Sequence, residues 1–142
     1  MRFLTLLMAA VLSLLAALHV YWAAGGRAAR AAAVPEVGGR PAMAPGPLSC
    51  LVVAVLLLAA ALLLLGRGGV LSLPGPRWLV VAGAWSVAAV FALRSIGDFR
   101  LFGLFRQITG TAFARNDALI YTPLCLLLAA GALFVAWRGS SA

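Results

Sequence analysis

The 142 residues are 65% hydrophobic and only 10% charged, with a mean hydropathy of +1.10. A soluble domain of this length cannot hide so much apolar surface, so the composition places the chain in a bilayer as a single membrane domain over residues 1–142. The net charge of +8 comes from eleven arginines set against Glu36, Asp98 and Asp117. These arginines stand singly at the ends of apolar runs and form no basic face, which fits membrane flanks and argues against a nucleic-acid partner.

In chain order, residues 3–24 are apolar apart from Thr5, Ser13 and His19. As a helix they reach about 33 Å, enough to cross a hydrocarbon core. The rival reading is a cleaved signal peptide, with Arg2 as its basic end and Ala23-Ala24-Gly25 as a cleavage site. The length of the run and the Tyr21-Trp22 pair at its end, where a helix meets the headgroups, favour a retained span. His19, Trp22 and Gly26 fall on one helical stripe, where a small residue would let another segment approach the imidazole. An interfacial histidine bonded to water or a carbonyl competes with a proton shuttle or ligand donor.

Residues 25–47 form a connector too broken by glycine and proline for a long helix, with one or two helical turns expected over residues 28–33. Glu36 in it reads as a solvated charge. A second span covers 48–66 and a third 78–94, joined by a tight proline-rich return. Cys50 and Cys125 form no CxxC pair and read as inert buried thiols.

Residues 94–125 hold Asp98, Asp117 and four arginines. On a helical wheel Arg100, Gly103, Arg106, Gln107 and Gly110 share one arc opposite Leu101, Leu104, Phe105 and Ile108, which predicts a short interfacial helix over about 97–108. Asp98 falls on the apolar side of that wheel, one turn from Arg94, so an Arg94–Asp98 ion pair is expected. Asn116 or Asp117 is expected to cap the fourth span, 118–137. Pro123 inside that span should kink it and free the carbonyl of Leu119, with Tyr121 or a water as the replacement donor.

The fold class is therefore all-α, an integral membrane four-helix bundle. The pieces HVYWAAGG (19–26), RSIGDFRLFGLF (94–105) and FARNDALIYTPLC (113–125) resemble the signature of an uncharacterised family of small, four-span bacterial membrane proteins, a domain of unknown function. The resemblance implies four helices and a multi-pass inner-membrane location, and it brings no activity with it.

An even number of crossings puts the connectors 25–47 and 95–117 on one side of the membrane. His19, Tyr21, Trp22, Arg94, Asp98, Arg100, Asp117 and Tyr121 are then expected to line one polar pocket under a proline-rich lid. Seven arginines on that side against four on the other favour a cytoplasmic position for it. Three functions fit. The first is a binding or transport-accessory protein for a small amphipathic or anionic ligand, itself able to form a homo-oligomer. The second is an enzyme on a lipid-soluble substrate that uses His19 with Asp98 or Asp117 for proton transfer. The third is a structural or assembly subunit. The sequence carries no metal cluster, nucleotide loop or nucleophile motif, so no cofactor is expected, and the lipid bilayer is the one partner that composition requires.

Overall fold

The computed structural model describes residues 1–43 and 45–139. Its elements in chain order are α1 (Arg2–Ala23), α2 (Arg30–Ala33), β1 (Glu36–Val37), β2 (Arg40–Pro41), α3 (Pro47–Arg67), α4 (Arg77–Ile96) and α5 (Ala112–Asn116). A π-helical turn (Asp117–Tyr121) then leads straight into α6 (Thr122–Arg138). Four helices are long and apolar enough to cross a membrane, the last being the continuous run Ala112–Arg138. The chain is an all-α four-helix membrane protein.

Each long helix buries one stripe at helical spacing. In α1 the stripe is Thr5, Met8, Ala9, Leu12 and Ala16, and in α4 it includes Val80, Ala84, Val87, Ala88 and Ser95. The buried positions are mostly small, because lipid tails are as apolar as leucine and helices in a bilayer associate by close packing. Gly131 in α6, for example, lies against the Met8 side chain and leaves no room for a Cβ. Helix α1 packs on α3 and α4 packs on α6, with Leu12, Leu64, Ala84, Ala132 and Val135 at the shared centre. About a third or less of each span is buried inside the bundle. Leu14, Val55, Leu127 and Trp137 on the outward faces need an apolar solvent.

One end of the bundle gathers the start of α1, the α3–α4 turn and the end of α6. Arg67 is buried there and donates from Nε and Nη2 to the carbonyl of Ala136, at 3.1 and 2.8 Å. That carbonyl belongs to the last turn of α6, where no intrahelical donor remains. A cation at a helix C-terminus also opposes the negative end of the dipole. Arg67 thus ties the end of α3 to the end of α6.

The other end holds both long connectors. In the first, one helical turn at Arg30–Ala33 is followed by a two-stranded hairpin pairing Glu36 with Pro41 and Val37 with Arg40. Its turn is Gly38-Gly39, with φ of +60° and +75°. Two consecutive positive φ values match the twist of a tight hairpin, and glycine reaches them without a Cβ penalty. In the second connector the expected interfacial helix over 97–108 is absent, and residues 97–111 form a compact non-helical loop. Gly97, Phe99, Gly103 and Gly110 all have positive φ, which no right-handed helix tolerates. The side chain of Asp98 takes up the N–H groups of Arg100, Leu101 and Phe102, the donors that would have started the helix.

Candidate functional site

The charged centre of this end is Asp117, whose side chain is 0% exposed. Its Oδ1 accepts from Arg94 Nη2 at 2.8 Å. Its Oδ2 accepts from the Gly103 N–H at 2.8 Å and the Thr122 hydroxyl at 3.0 Å, with Arg106 Nη1 at 3.6 Å. A buried carboxylate is tolerated only when paired and hydrogen-bonded, and this one receives both kinds of partner from three segments. Arg94 comes from the last turn of α4 and also lies over the ring of Phe102, 4.3 Å from its centroid. Arg106 returns a bond to the Gly103 carbonyl at 2.8 Å.

The π turn helps to build this centre. In an α-helix a residue five positions on lies about 140° round the axis, on another face. The wider π turn, closed by the Thr122 N–H on the Asp117 carbonyl, lets the Thr122 hydroxyl reach the Asp117 carboxylate. Pro123 follows directly at the junction between the π turn and the regular helix. Tyr121 does not serve the Leu119 carbonyl as expected. Its hydroxyl crosses to the first connector and donates to the Ala32 carbonyl at 3.2 Å.

Two further expectations are corrected. Arg94 pairs with Asp117, not with Asp98, because Asp98 is turned toward its own loop backbone. Slight burial pushes the Asp98 carboxyl up, but the N–H groups of Arg100, Leu101 and Phe102 outweigh it and hold the carboxyl below its ordinary value. The helix cap is Thr111, whose hydroxyl oxygen accepts from the Ala114 N–H at 3.0 Å, five and six residues before the expected Asn116 or Asp117. Gly97 and Gly103 complete the loop. A Cβ on Gly97 would strike the Phe102 carbonyl oxygen, and one on Gly103 would strike Gly97.

The second polar region lies at the end of α1. His19 Nδ1 is 2.8 Å from the Leu15 carbonyl. A carbonyl can only accept, so Nδ1 carries the proton and Nε2 is the ring nitrogen left for a ligand. The imidazole stands edge-on to Trp22, centroids 5.1 Å apart. Trp22 Nε1 donates to the Ala28 carbonyl at 2.8 Å, and the Tyr21 hydroxyl receives the Ala28 N–H at 3.4 Å. The segment that approaches Gly26 is the Tyr21 ring itself, which leaves no space for a side chain there.

A cavity of about 300 Å³ opens beside His19 and Trp22, closed by Arg30, Val34, Met43 and Pro45 of the connector and by Ser49, Cys50 and Val53 of α3. A second cavity of about 400 Å³, lined by Arg27, Glu36 and Pro41, shares Arg30, Val34, Met43 and Pro45 with it as a common wall. The Arg30 guanidinium is fixed in that wall by its bond to the Pro45 carbonyl. Among the described residues, the His19 cavity has no lining from Arg94, Asp98, Arg100, Asp117 or Tyr121. The eight expected site residues thus separate into His19 and Trp22 beside a cavity, Tyr21 outside its lining and packed on Gly26, and Arg94 and Asp117 in a closed ion pair. Asp98 and Arg100 shape the loop next to that pair, and Tyr121 bridges the two regions.

Sequence reasoning missed Arg30, Ser49 and Cys50 beside the cavity and Gly103, Arg106 and Thr122 around Asp117. Only Thr111 had a local signal, a threonine ahead of an apolar helical run. No group of three or more His, Cys, Asp or Glu that could hold a metal occurs among the described residues. Cys50 and Cys125 are free thiols, buried and half-buried.

Comparison with curated proteins and with solved structures gave no match. The family model described as a protein of unknown function (DUF3995) matches residues 12–132, which include the ends of all four spans that meet around His19 and Asp117, and the chain belongs to that family.

Proposed function

We propose that this protein is a membrane-embedded binding protein for a small amphipathic ligand with an anionic group, held in the cleft between the end of α1, the start of α3 and the hairpin-bearing connector. The observation that carries this reading is the convergence of His19 and Trp22, Arg30, and Ser49 and Cys50, from three separate segments, on one cavity. Its volume of about 300 Å³ sits at the lower end of the range, about 300–1,000 Å³, usual for small-molecule sites. The lining suits an amphipath. Trp22, Val34, Met43, Pro45 and Val53 offer an apolar wall, the Arg30 guanidinium offers donors to an anion, and His19 Nε2 and the Ser49 oxygen, whose proton goes to the Gly46 carbonyl, offer acceptors to the ligand's own donors.

The geometry favours binding over catalysis. Proton transfer from His19 would need Asp98 or Asp117, and both carboxylates are already committed, one to three backbone N–H groups and the other to Arg94, Gly103 and Thr122. A bacterial inner-membrane setting with both connectors on the cytoplasmic side is part of the same proposal, as is assembly into a homo-oligomer in a transport-accessory role.

The test uses the full chain in a non-ionic detergent, titrated with a fluorescent polyene fatty acid as the anionic amphipath. Saturable binding above micelle partitioning is expected, weakened in His19→Ala and Arg30→Gln. Binding that is equally strong in both variants, or that never saturates, would sink the proposal.

A further inference from the structure

A third cavity, of about 570 Å³, lies between the α4–α6 connecting loop and the start of the last span, lined by Arg106, Thr109, Thr111 and Arg115 with Gly110 and Ala112. It is separate from the His19 cleft and from the other contacts of Asp117, although Arg106 both lines it and approaches Asp117. Residues 94–117 carry Arg94, Arg100, Arg106 and Arg115 against only Asp98 and Asp117. The Asp98 carboxylate is spent on loop N–H groups, and Asp117 is shared between two guanidinium groups. Arg106 satisfies Nη1 on the Gly103 carbonyl, but its Nε is buried and has no acceptor among the described residues, and neither does Arg94 Nη1. A guanidinium removed from water with an unused N–H calls for an acceptor, and a cluster in positive excess calls for an anionic one.

The surroundings narrow the anion. Thr111 uses its hydroxyl oxygen to accept the Ala114 N–H, so its own proton is left to donate. Thr109 supplies a second hydroxyl, and Arg115 a second, exposed cation. Two guanidinium groups and two hydroxyl donors match a tetrahedral oxyanion with several acceptor oxygens. Beside them Phe99 and Phe105 stack on each other at 5.7 Å while each remains 58% exposed, as does most of Leu104. Exposed aromatic and leucine side chains at the end of two membrane spans lie where acyl chains begin, and so set the level of the headgroups.

We propose that this cavity is a phosphate-binding subsite, separate from the His19 cleft, that takes the phosphate headgroup of an anionic lipid. A soluble phosphate would present the same oxyanion, and the test separates the two sources.

The full chain in a non-ionic detergent is heated with dioctanoyl phosphatidic acid, with dioctanoylglycerol, or with inorganic phosphate at matched ionic strength, and the unfolding midpoint is followed. Phosphatidic acid is expected to raise the midpoint in a saturable way and dioctanoylglycerol to leave it unchanged. Arg115→Gln removes a cation that makes no contact with Asp117, so it should fold normally and bind phosphatidic acid about tenfold more weakly, the loss of one charge-assisted contact. Thr109→Val should weaken binding in the same direction. Equal protection by inorganic phosphate at similar concentration keeps the oxyanion subsite and assigns it a soluble ligand. Phosphatidic acid that protects no better than dioctanoylglycerol, or binding unaltered in both variants, overturns the proposal. Because neither variant touches the His19 cleft, this failure is distinguishable from failure of the fatty-acid titration.

Discussion

Arg94 and Asp117 lie 23 residues apart and meet at 2.8 Å, which closes the connector between the third and fourth spans into a loop anchored at both ends. The carboxylate is fully buried while the guanidinium is 30% exposed, so the two partners are not equivalent. Loss of the acid strands two arginines that have no other carboxylate, whereas loss of one arginine leaves Asp117 with Arg106, Gly103 and Thr122.

Asp117→Ala is therefore expected to cost about 3–5 kcal/mol, the usual penalty for leaving a buried ion pair half-complete. Arg94→Lys keeps the charge but loses the planar stacking on Phe102, and should cost less. Thermal unfolding in detergent, read by size-exclusion fluorescence, orders the two. An Asp117→Ala protein as stable as the parent would remove the ion pair from any role in holding the fold.

Three glycines of the loop share a positive φ and differ in surroundings. Gly110 has nothing within 4 Å of the position a Cβ would take, so Gly110→Ala should lose only the left-handed backbone penalty of about 1–2 kcal/mol. Gly97→Ala and Gly103→Ala add a collision with backbone that cannot move without opening the Asp117 centre. Their folded yield should fall far below that of Gly110→Ala. Equal yields for all three would mean that the loop breathes enough to make room.

Asp98 sets a pH limit on the same loop. Its carboxyl is held below its ordinary value of 3.8 in the folded chain, with burial raising it slightly and the loop N–H groups lowering it more. A depressed folded value means that the carboxylate stabilises the fold fully above the unfolded value, and that this contribution disappears as pH falls through the folded one. Stability should thus drop below about pH 4. Asp98→Asn keeps an acceptor oxygen but cannot titrate, so its unfolding midpoint should change less over that window than the parent's. Parallel acid profiles for the two proteins would assign the drop to another group.

The spans were legible in the sequence because composition and run length decide them, and the bilayer asks for little else. The Arg94–Asp117 pair was not, since the wheel that placed Asp98 one turn from Arg94 assumed a helix that Asp98 itself prevents. The misfit was visible even so, as a carboxylate on the apolar side of an amphipathic pattern. Gly97 and Gly103 gave no such clue, because their spacing carries meaning only once the loop folds back on itself. Residues around the His19 cavity come from the facing ends of two spans and the connector between them, and nothing in local pattern relates Arg30 to Ser49. Gly38-Gly39 did carry a local hairpin signal, between short strands whose pattern was too brief to register.

The orientation proposed for the bundle follows from which arginines are free to vote. Arg94 and Arg106 are held by Asp117, Arg67 by the Ala136 carbonyl and Arg30 by the Pro45 carbonyl, so these four report on packing more than on topology. The remainder is Arg27, Arg40, Arg100 and Arg115 on the connector side against Arg2, Arg77 and Arg138 on the other, four to three. Short loops richer in arginine stay in the cytoplasm. Arg40 and Ser72 are both exposed and lie at opposite ends of the bundle. In spheroplasts, Ser72→Cys should react with a membrane-impermeant maleimide and Arg40→Cys should react only after lysis. Cys50 and Cys125 set the background, measured on the parent chain. The reverse labelling pattern would place the His19 cleft and the Arg106 cavity on the outer face, where any amphipath they hold must arrive from outside the cell.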